Sequence, residues 1–396
     1  MACSFRRGNL ATERRRDATG SALCRPAAEG CKAPVARGLG TRMDAPWLRF
    51  EGVRKPALGV HGIDLAMPRG GCTVLLGPPG SGKTGVLRLL AGLASPEAGR
   101  VLLGEAALDR PPPGWGGVGL FQPVTGAAGR RVEQVVTELV LSLPGPQRAA
   151  QVARALTRLG LDGQEATRLG QLGPAQLRRL ALARALAPQP AVLVLDDPFD
   201  GLDQALRHRL ALEWRGLFRR IGLTTVVATR EPGEAMLLAD HLAILEAGEV
   251  VQEGTPQSLY EEPVSAPVAF LLGDNNRLAG TVLALDGEDC QVRLDCGPEL
   301  WARRGDAAGP GSRCIVAVRP ERVAVAAMSA EEMGEGALPA ALQDVIFLGD
   351  HLRLLLEVGR GGALVAKRPP GSRVPRIGGP ASVAWDPYAA FAYRAL

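Results

Sequence analysis

The stretch Thr73-Val74-Leu75-Leu76-Gly77-Pro78-Pro79-Gly80-Ser81-Gly82-Lys83-Thr84 carries the reading on which the fold depends. An uninterrupted apolar run reads as a buried strand. The glycine-rich turn follows it with G-x-x-x-x-G-K-T spacing, and Gly85–Leu93 continues as a helix with Val86, Leu90 and Leu93 on one face. Strand, glycine loop and helix in that order make a phosphate-binding loop. Its glycines let backbone N–H groups turn toward an anion, and the helix start adds the positive end of its dipole. Lys83 would reach the β- and γ-phosphates, and the Thr84 hydroxyl would ligate Mg²⁺. A chance glycine turn would lack the flanking strand and helix.

A second apolar strand, Ala191–Leu195, delivers two carboxylates, Asp196 and Asp197, at its C-terminal end. Ligands of open α/β sheets bind at that edge, so Asp196 is expected to meet the metal held by Thr84. Further strands are expected at Leu48–Glu51, Ile63–Ala66, Arg100–Leu103, Val118–Gln122, Thr224–Ala228 and Leu242–Leu245, with Pro111–Gly114 as a loop. Helical stripes run through Val132, Val135, Val136, Leu139 and Val140, through Val152, Leu156 and Leu159, and through Leu206, Leu210, Trp214, Leu217 and Ile221 up to Gly222. Alternating β and α units predict an α/β, doubly wound, mostly parallel sheet. After Gly273-Asp274-Asn275-Asn276 the texture becomes short β runs split by Gly, Pro and Asp, an all-β region expected to form a small barrel or a pair of them.

Charge narrows the partners. The chain of 396 residues has a net charge of +5, but residues 1–42 contribute +6, leaving the remainder at −1. The body is therefore not built for nucleic acid. Of the 46 basic residues only Lys32, Lys55, Lys83 and Lys367 are lysine, so one of four lysines sits in the glycine loop. The seven cysteines form no C-x-x-C pair and read as free, reduced thiols of a cytosolic protein. No run approaches the roughly 18 apolar residues of a membrane span, so membrane contact is expected only through partners. The expected division is a disordered extension over 1–42, a nucleotide-binding domain over 43–272 and a β domain over 277–396.

The glycine loop and acidic strand also fit small-molecule kinases and motor ATPases. The segment Leu172-Gly173-Pro174-Ala175-Gln176-Leu177-Arg178-Arg179-Leu180-Ala181-Leu182-Ala183-Arg184-Ala185-Leu186 narrows the choice. It resembles the signature helix of ATP-binding cassette (ABC) transporter ATPases, where LSGGQ precedes an ALARAL-like helix. A P-loop kinase leaves this segment unexplained. Phe121-Gln122 resembles the family's Q-loop, Gly201-Leu202-Asp203 its D-loop, and the tail with Arg319-Pro320-Glu321 looks like the C-terminal TOBE-type β domain of bacterial importer ATPases. The junction Phe270–Leu278 is similar to that of polyamine, iron and related importers.

The resemblance implies a P-loop ABC ATPase fold with a helical subdomain, binding ATP and Mg²⁺. Two ATPase subunits, as a homodimer or a heterodimer, would sandwich two ATPs. Each site would combine the glycine loop of one chain with Gly173, Pro174, Ala175 and Gln176 of the other, and Asp203 would lie at the seam. Gln122 would contact metal and γ-phosphate and couple them to integral membrane permease subunits, placing the chain peripherally on the cytoplasmic face of the inner membrane.

Three positions depart from the family pattern. Asp197 stands where glutamate usually orients the attacking water. Arg230 replaces the switch histidine, and arginine cannot accept a hydrogen bond. Gly173-Pro174 lacks the usual serine hydroxyl and one backbone N–H. The aromatic that stacks on adenine is also missing near Arg54-Lys55-Pro56, leaving Phe50 as the nearby candidate. The reading is an importer ATPase subunit for a small, polyamine-like solute with reduced hydrolysis; the alternative is a hydrolytically idle, nucleotide-dependent regulatory module on a transporter.

Overall fold

The computed structural model describes residues 47–108, 117–297, 299–307, 309–327, 337–359 and 361–395; the expected extension over 1–42 and the loop Pro111–Gly114 lie outside them. The first half runs, in chain order, β1 (Leu48–Lys55), β2 (Val60–Met67), β3 (Cys72–Leu76), α1 (Lys83–Leu90), β4 (Ala98–Leu103), β5 (Ala106–Ala107), β6 (Val118–Phe121), α2 (Val132–Thr137), α3 (Gly145–Arg158), α4 (Pro174–Leu186), β7 (Val192–Asp196), α5 (Gln204–Ile221), β8 (Thr224–Thr229), α6 (Pro232–Leu238), β9 (His241–Glu246), β10 (Glu249–Gly254), α7 (Pro256–Glu261) and α8 (Ala266–Leu272). Two sheets result. One is antiparallel, in the order β2-β1-β4-β5; the other is β10-β9-β3-β8-β7-β6. In the second, β9, β3, β8, β7 and β6 run parallel, and only β10 is antiparallel.

Strands buried on both faces read as continuous apolar runs, and β3 is buried at all five of its residues. Its apolar neighbours divide between two cores, one on each face of the sheet. Trp214 of α5 anchors the larger core, its ring centroid 5.7 Å from that of Phe121 and 4.8 Å from that of Phe199. The Leu206–Ile221 stripe lies on α5 as expected, and Gly222 ends the helix at φ 60°.

Two stripes differ from expectation. Leu93 lies beyond α1, after Gly92 at φ +69°, and is 65% exposed. Leu139 is also exposed, because Glu138–Val140 tightens into a 3₁₀ turn, and three residues per turn rotate Leu139 off the α-helical face.

The second half contains β11 (Asn276–Asp286), β12 (Asp289–Leu294), β13 (Glu299–Arg304), β14 (Arg313–Val318), β15 (Ala324–Ala326), β16 (Leu338–Phe347), β17 (Leu352–Val358), β18 (Gly362–Arg368), β19 (Pro380–Ala384) and β20 (Ala390–Arg394). β11, β12, β13, β20 and β14 close a barrel; β15, β19, β16, β17 and β18 form an open sheet. The expected alternative of two barrels is thus resolved as one barrel and one sheet, joined by a single apolar core. The final strand returns to close the barrel, pairing antiparallel with β14 and parallel with β13. Among the described residues no helix is long and apolar enough to cross a membrane.

Candidate functional site

Parallel strands bring their C-terminal ends to one edge. In register, Leu76 lies beside Thr229, Asp196 beside Ala228, and Phe121 beside Leu195. The loop after β3, Gln122 after β6, the acids ending β7 and Arg230 after β8 therefore converge, although Gly77 and Arg230 are 153 positions apart in sequence.

The glycine loop is shaped by contacts that admit no side chain. A Cβ on Gly77 would stand 2.2 Å from the Leu245 carbonyl oxygen, and one on Gly82 2.4 Å from that of Gly59. Gly82 also caps α1 at φ 95°, a conformation costly for other residues. Lys83 Nζ donates to the carbonyls of Gly77 and Pro78, both at 2.8 Å, and to Ser81 Oγ at 3.2 Å. The loop thus aims its lysine into its own concavity. Burial pushes the Lys83 ammonium down from its usual pKa, while Asp197 and Asp196 oppose that shift.

A cavity of about 460 Å³ is lined by Leu58, Gly59, Pro79, Gly80, Ser81, Gly82, Lys83, Thr84, Gly85, Asp197 and Arg230. A second, of about 480 Å³, shares Thr84 and Asp197 and adds Phe121, Gln122, Pro123, Arg178, Asp196 and Asp200. Between them Thr84 Oγ1 donates to Asp196 Oδ2 at 2.9 Å. One hydroxyl and one carboxylate suit Mg²⁺, which keeps several waters and takes its other ligands from substrate phosphates. The cradle fits a polyphosphate, and Thr84 and Asp196 fit its cation.

Asp197 occupies the left-handed region at φ 39°. Burial raises its carboxyl pKa, and Arg230 works against this. Arg230 Nε stands 3.5 Å from Asp197 Oδ2, and its Nη2 donates to Asp200 Oδ1 at 3.3 Å. The turn that presents Arg230 is fixed from behind: Thr229 Oγ1 donates to the buried Glu234 at 2.5 Å and accepts from Glu231 N at 3.1 Å. Arg207 Nε lies 3.2 Å from the other Glu234 oxygen.

The signature residues do not join this cluster within one chain. Gly173 caps α4 with Pro174 in its first turn, and Gln176 Oε1 accepts from Gly173 N at 2.9 Å while its amide donates to Gln164 Oε1. Gly173, Pro174, Ala175 and Gln176 wall neither cavity, and nor does Asp203, which caps α5 by accepting from Leu206 N. Phe50, the expected base-stacking candidate, is 2% exposed between β2 and β4 and unavailable to a ligand; Leu58 stands at the cavity wall.

Sequence reasoning missed Gly59, Asp200 and Arg184. Gly59 gives the loop its near wall. Asp200 shares Arg230, and Arg184 Nη2 donates to the Gln122 carbonyl at 2.9 Å. A second carboxylate three residues after Asp197 was the one available signal.

The ABC transporter family model matches residues 60–200, and the TOBE domain model matches 316–392. The spermidine/putrescine import ATP-binding protein PotA of Rubrobacter xylanophilus is 34% identical over 334 residues, covering 83% of this chain and 87% of its own. The Fe(3+) ions import ATP-binding protein FbpC 1 of Rhizobium meliloti is 33% identical over 321 residues, 76% of this chain and 84% of its own. Among solved structures, cbiO1 from Clostridium perfringens, part of the ABC transporter complex cbiONQ, superposes with a TM-score of 0.51 at 25% identity, over 55% of this chain and 92% of its own. With a phosphate cradle, an acidic strand end and a C-terminal TOBE domain in one chain, and relatives aligned across most of its length, the protein belongs to the ATP-binding subunits of ABC importers.

Proposed function

We propose that this chain binds MgATP and hydrolyses it slowly to energise import of a small, polyamine-like solute. Subunits of this family are ATPases; slow turnover is the specific claim for this one. The observation that carries it is the Arg230 guanidinium 3.5 Å from Asp197, with both residues in the wall of the cavity that holds Lys83. A carboxylate that must orient water is here one methylene shorter than glutamate and faces a fixed cation. A displacement of about 1 Å costs on the order of 10²-fold in rate. In this reading Gly77–Thr84 hold the phosphates, Thr84, Asp196 and Gln122 the metal, and Asp197 with Arg230 governs the terminal phosphate.

Because Gly173–Gln176 and Asp203 stand outside the cavity walls of their own chain, we assign them to the site of a second ATPase subunit, identical or related. Permease subunits complete the assembly at the cytoplasmic face of the membrane. Relatives named for spermidine/putrescine import support the cargo class. The test is phosphate release from the chain assembled with its permease subunits. We expect turnover about 10²-fold lower than that of the Asp197→Glu, Arg230→His double variant. Equal, rapid turnover in both would overturn slow hydrolysis, and no turnover in either would favour the idle regulatory module.

A further inference from the structure

A cavity of about 500 Å³ opens where the β-barrel meets α7, α8 and the segment joining the two halves of the chain. Tyr260 and Glu262 face it from the nucleotide-binding half; Arg303 of β13, Arg319 just after β14 and Phe391 of β20 face it from the barrel. It shares no lining residue with the two cavities at the glycine loop and the acidic strand end. Its volume lies in the range of small-molecule sites rather than of single-ion sites.

Arg319 is the member of this wall that the protein does not neutralise. It is only 7% exposed, yet among the described residues no carboxylate forms an ion pair with it. Its hydrogen bonds go to two carbonyls, those of Asp274 and Tyr260, both at 3.3 Å, and its planar group lies 3.9 Å from the centroid of the Tyr260 ring. A guanidinium carries five N–H donors, so two long bonds to carbonyls leave most of them over. Burial pushes its pKa down, against the opposing influence of Tyr260, Glu321, Tyr393 and Asp274. A buried charge without a counter-charge is costly, and a ligand that brings the counter-charge removes that cost.

The acids around the cavity are already engaged. Glu262 pairs with Arg303 at 3.2 Å, and Glu321 accepts from the Tyr260 hydroxyl. Glu261 accepts from Gln257 at 3.1 Å, and Asp386 caps its own turn by accepting from Tyr388 N at 2.9 Å. Arg322, by contrast, is an exposed lining residue with no ion pair among the described residues. The unspent charge of the cavity is therefore positive. Two aromatic walls, Phe391 and the 69% exposed Tyr388, stand beside it.

We propose that this cavity binds a small organic oxyanion, a carboxylate or phosphate ester with a flat apolar body. Arg319 takes the anionic group through charge-assisted hydrogen bonds, Arg322 attracts it at the mouth, and Tyr388 and Phe391 flank the body. Occupancy bridges Tyr260, at the end of α7, to the barrel. The site stands apart from the nucleotide reading and does not depend on it.

The test is calorimetric titration of the full chain with benzoate, phenyl phosphate and inorganic phosphate, and with spermidine as a probe of opposite charge. Each titration is repeated in Lys83→Ala, which removes the competing anion cradle of the glycine loop and should leave the aromatic anions bound as before. Arg319→Gln is expected to weaken the aromatic anions at least about tenfold. Arg322→Gln, at an exposed position that the fold does not need, should weaken them about two- to fivefold, so the site remains testable if Arg319→Gln fails to fold. Tyr388→Ala should weaken benzoate more than inorganic phosphate. Benzoate or phenyl phosphate binding more tightly supports the site in either order and identifies its acid as carboxylate or phosphate ester. No aromatic anion bound in Lys83→Ala, or affinities unchanged in both arginine variants, would overturn it. Saturable spermidine binding that Glu262→Gln abolishes, without anion binding, would make the cavity a cation site and overturn it equally.

Discussion

Gly82 and Gly80 sit two residues apart in the same loop with left-handed φ values of 95° and 80°, yet substitution should separate them. Alanine at either position meets a left-handed penalty of roughly 1–2 kcal/mol. At Gly80 a Cβ would meet nothing within 4 Å. At Gly82 it would stand 2.4 Å from the Gly59 carbonyl oxygen and 3.4 Å from Gly248 Cα, both backbone atoms that cannot rotate away. Overpacking of this kind adds about 1–3 kcal/mol. Gly82→Ala is therefore expected to lower stability by about 2–5 kcal/mol and Gly80→Ala by about 1–2 kcal/mol, read from urea unfolding in the absence of nucleotide. Equal losses would mean that the Gly59 wall yields and that the loop is less constrained than its contacts imply. The same wall belongs to the turn after β1 that carries Leu58, so the loop and this turn are shaped together.

At the scale of elements, β9 carries a buried group that couples stability to pH. His241 is 7% exposed, its Nδ1 has no hydrogen-bond partner, and its Nε2 lies 3.9 Å from Glu253 on β10. Burial lowers the His241 pKa below its ordinary 6.5 and raises that of Glu253. The sign follows: below about pH 6.5 the unfolded chain takes up a proton on this histidine that the folded chain refuses, so stability falls as pH falls. The melting temperature should drop between pH 7 and 5.5, and His241→Gln should flatten that slope. A variant with an unchanged slope would show that Glu253 captures the proton and offsets burial. What the sequence made legible at this scale follows burial. β3 and β7 are nearly continuous apolar runs, and β8 is buried throughout and β-branched at five of its six residues, so these could be read directly, whereas β13, β18, β19 and β20 were missed. Glu299–Arg304, Gly362–Arg368, Pro380–Ala384 and Ala390–Arg394 are rich in Ala, Glu, Lys, Arg and Pro. Residues of weak strand propensity become strands when non-local pairing buries them. The Arg230–Asp197 contact was hidden for a related reason. Both residues were singled out from the motif pattern, but only the adjacency of β7 and β8 puts one beside the other.

Across the whole molecule, the strand that closes the barrel also ties the barrel to the nucleotide-binding half. Tyr393 of β20 is fully buried and donates its hydroxyl to the Pro263 carbonyl at 2.9 Å, between α7 and α8. Ala266 and Ala269 of α8 pack with Ala317 and Tyr393, the small side chains letting helix and barrel approach closely. Beside them the Arg319 guanidinium lies 3.9 Å from the centroid of the Tyr260 ring, and that tyrosine donates to Glu321. The seam therefore combines apolar contact with hydrogen bonds that cross it. Tyr393→Phe keeps the ring and orphans a buried carbonyl, a loss of about 1–3 kcal/mol. Tyr393→Ala also opens a cavity, and a loss of about 3–5 kcal/mol is expected by analogy with other large aromatic truncations. If the two halves unfold as one unit, both variants shift a single urea transition. If the seam is the weaker link, Tyr393→Ala splits it in two, the transition of the β half moving to lower urea while that of the nucleotide-binding half stays in place. A Tyr393→Ala chain as stable as wild type would remove β20 from this role, because no other residue of that strand is described as bonding a side chain to Pro263.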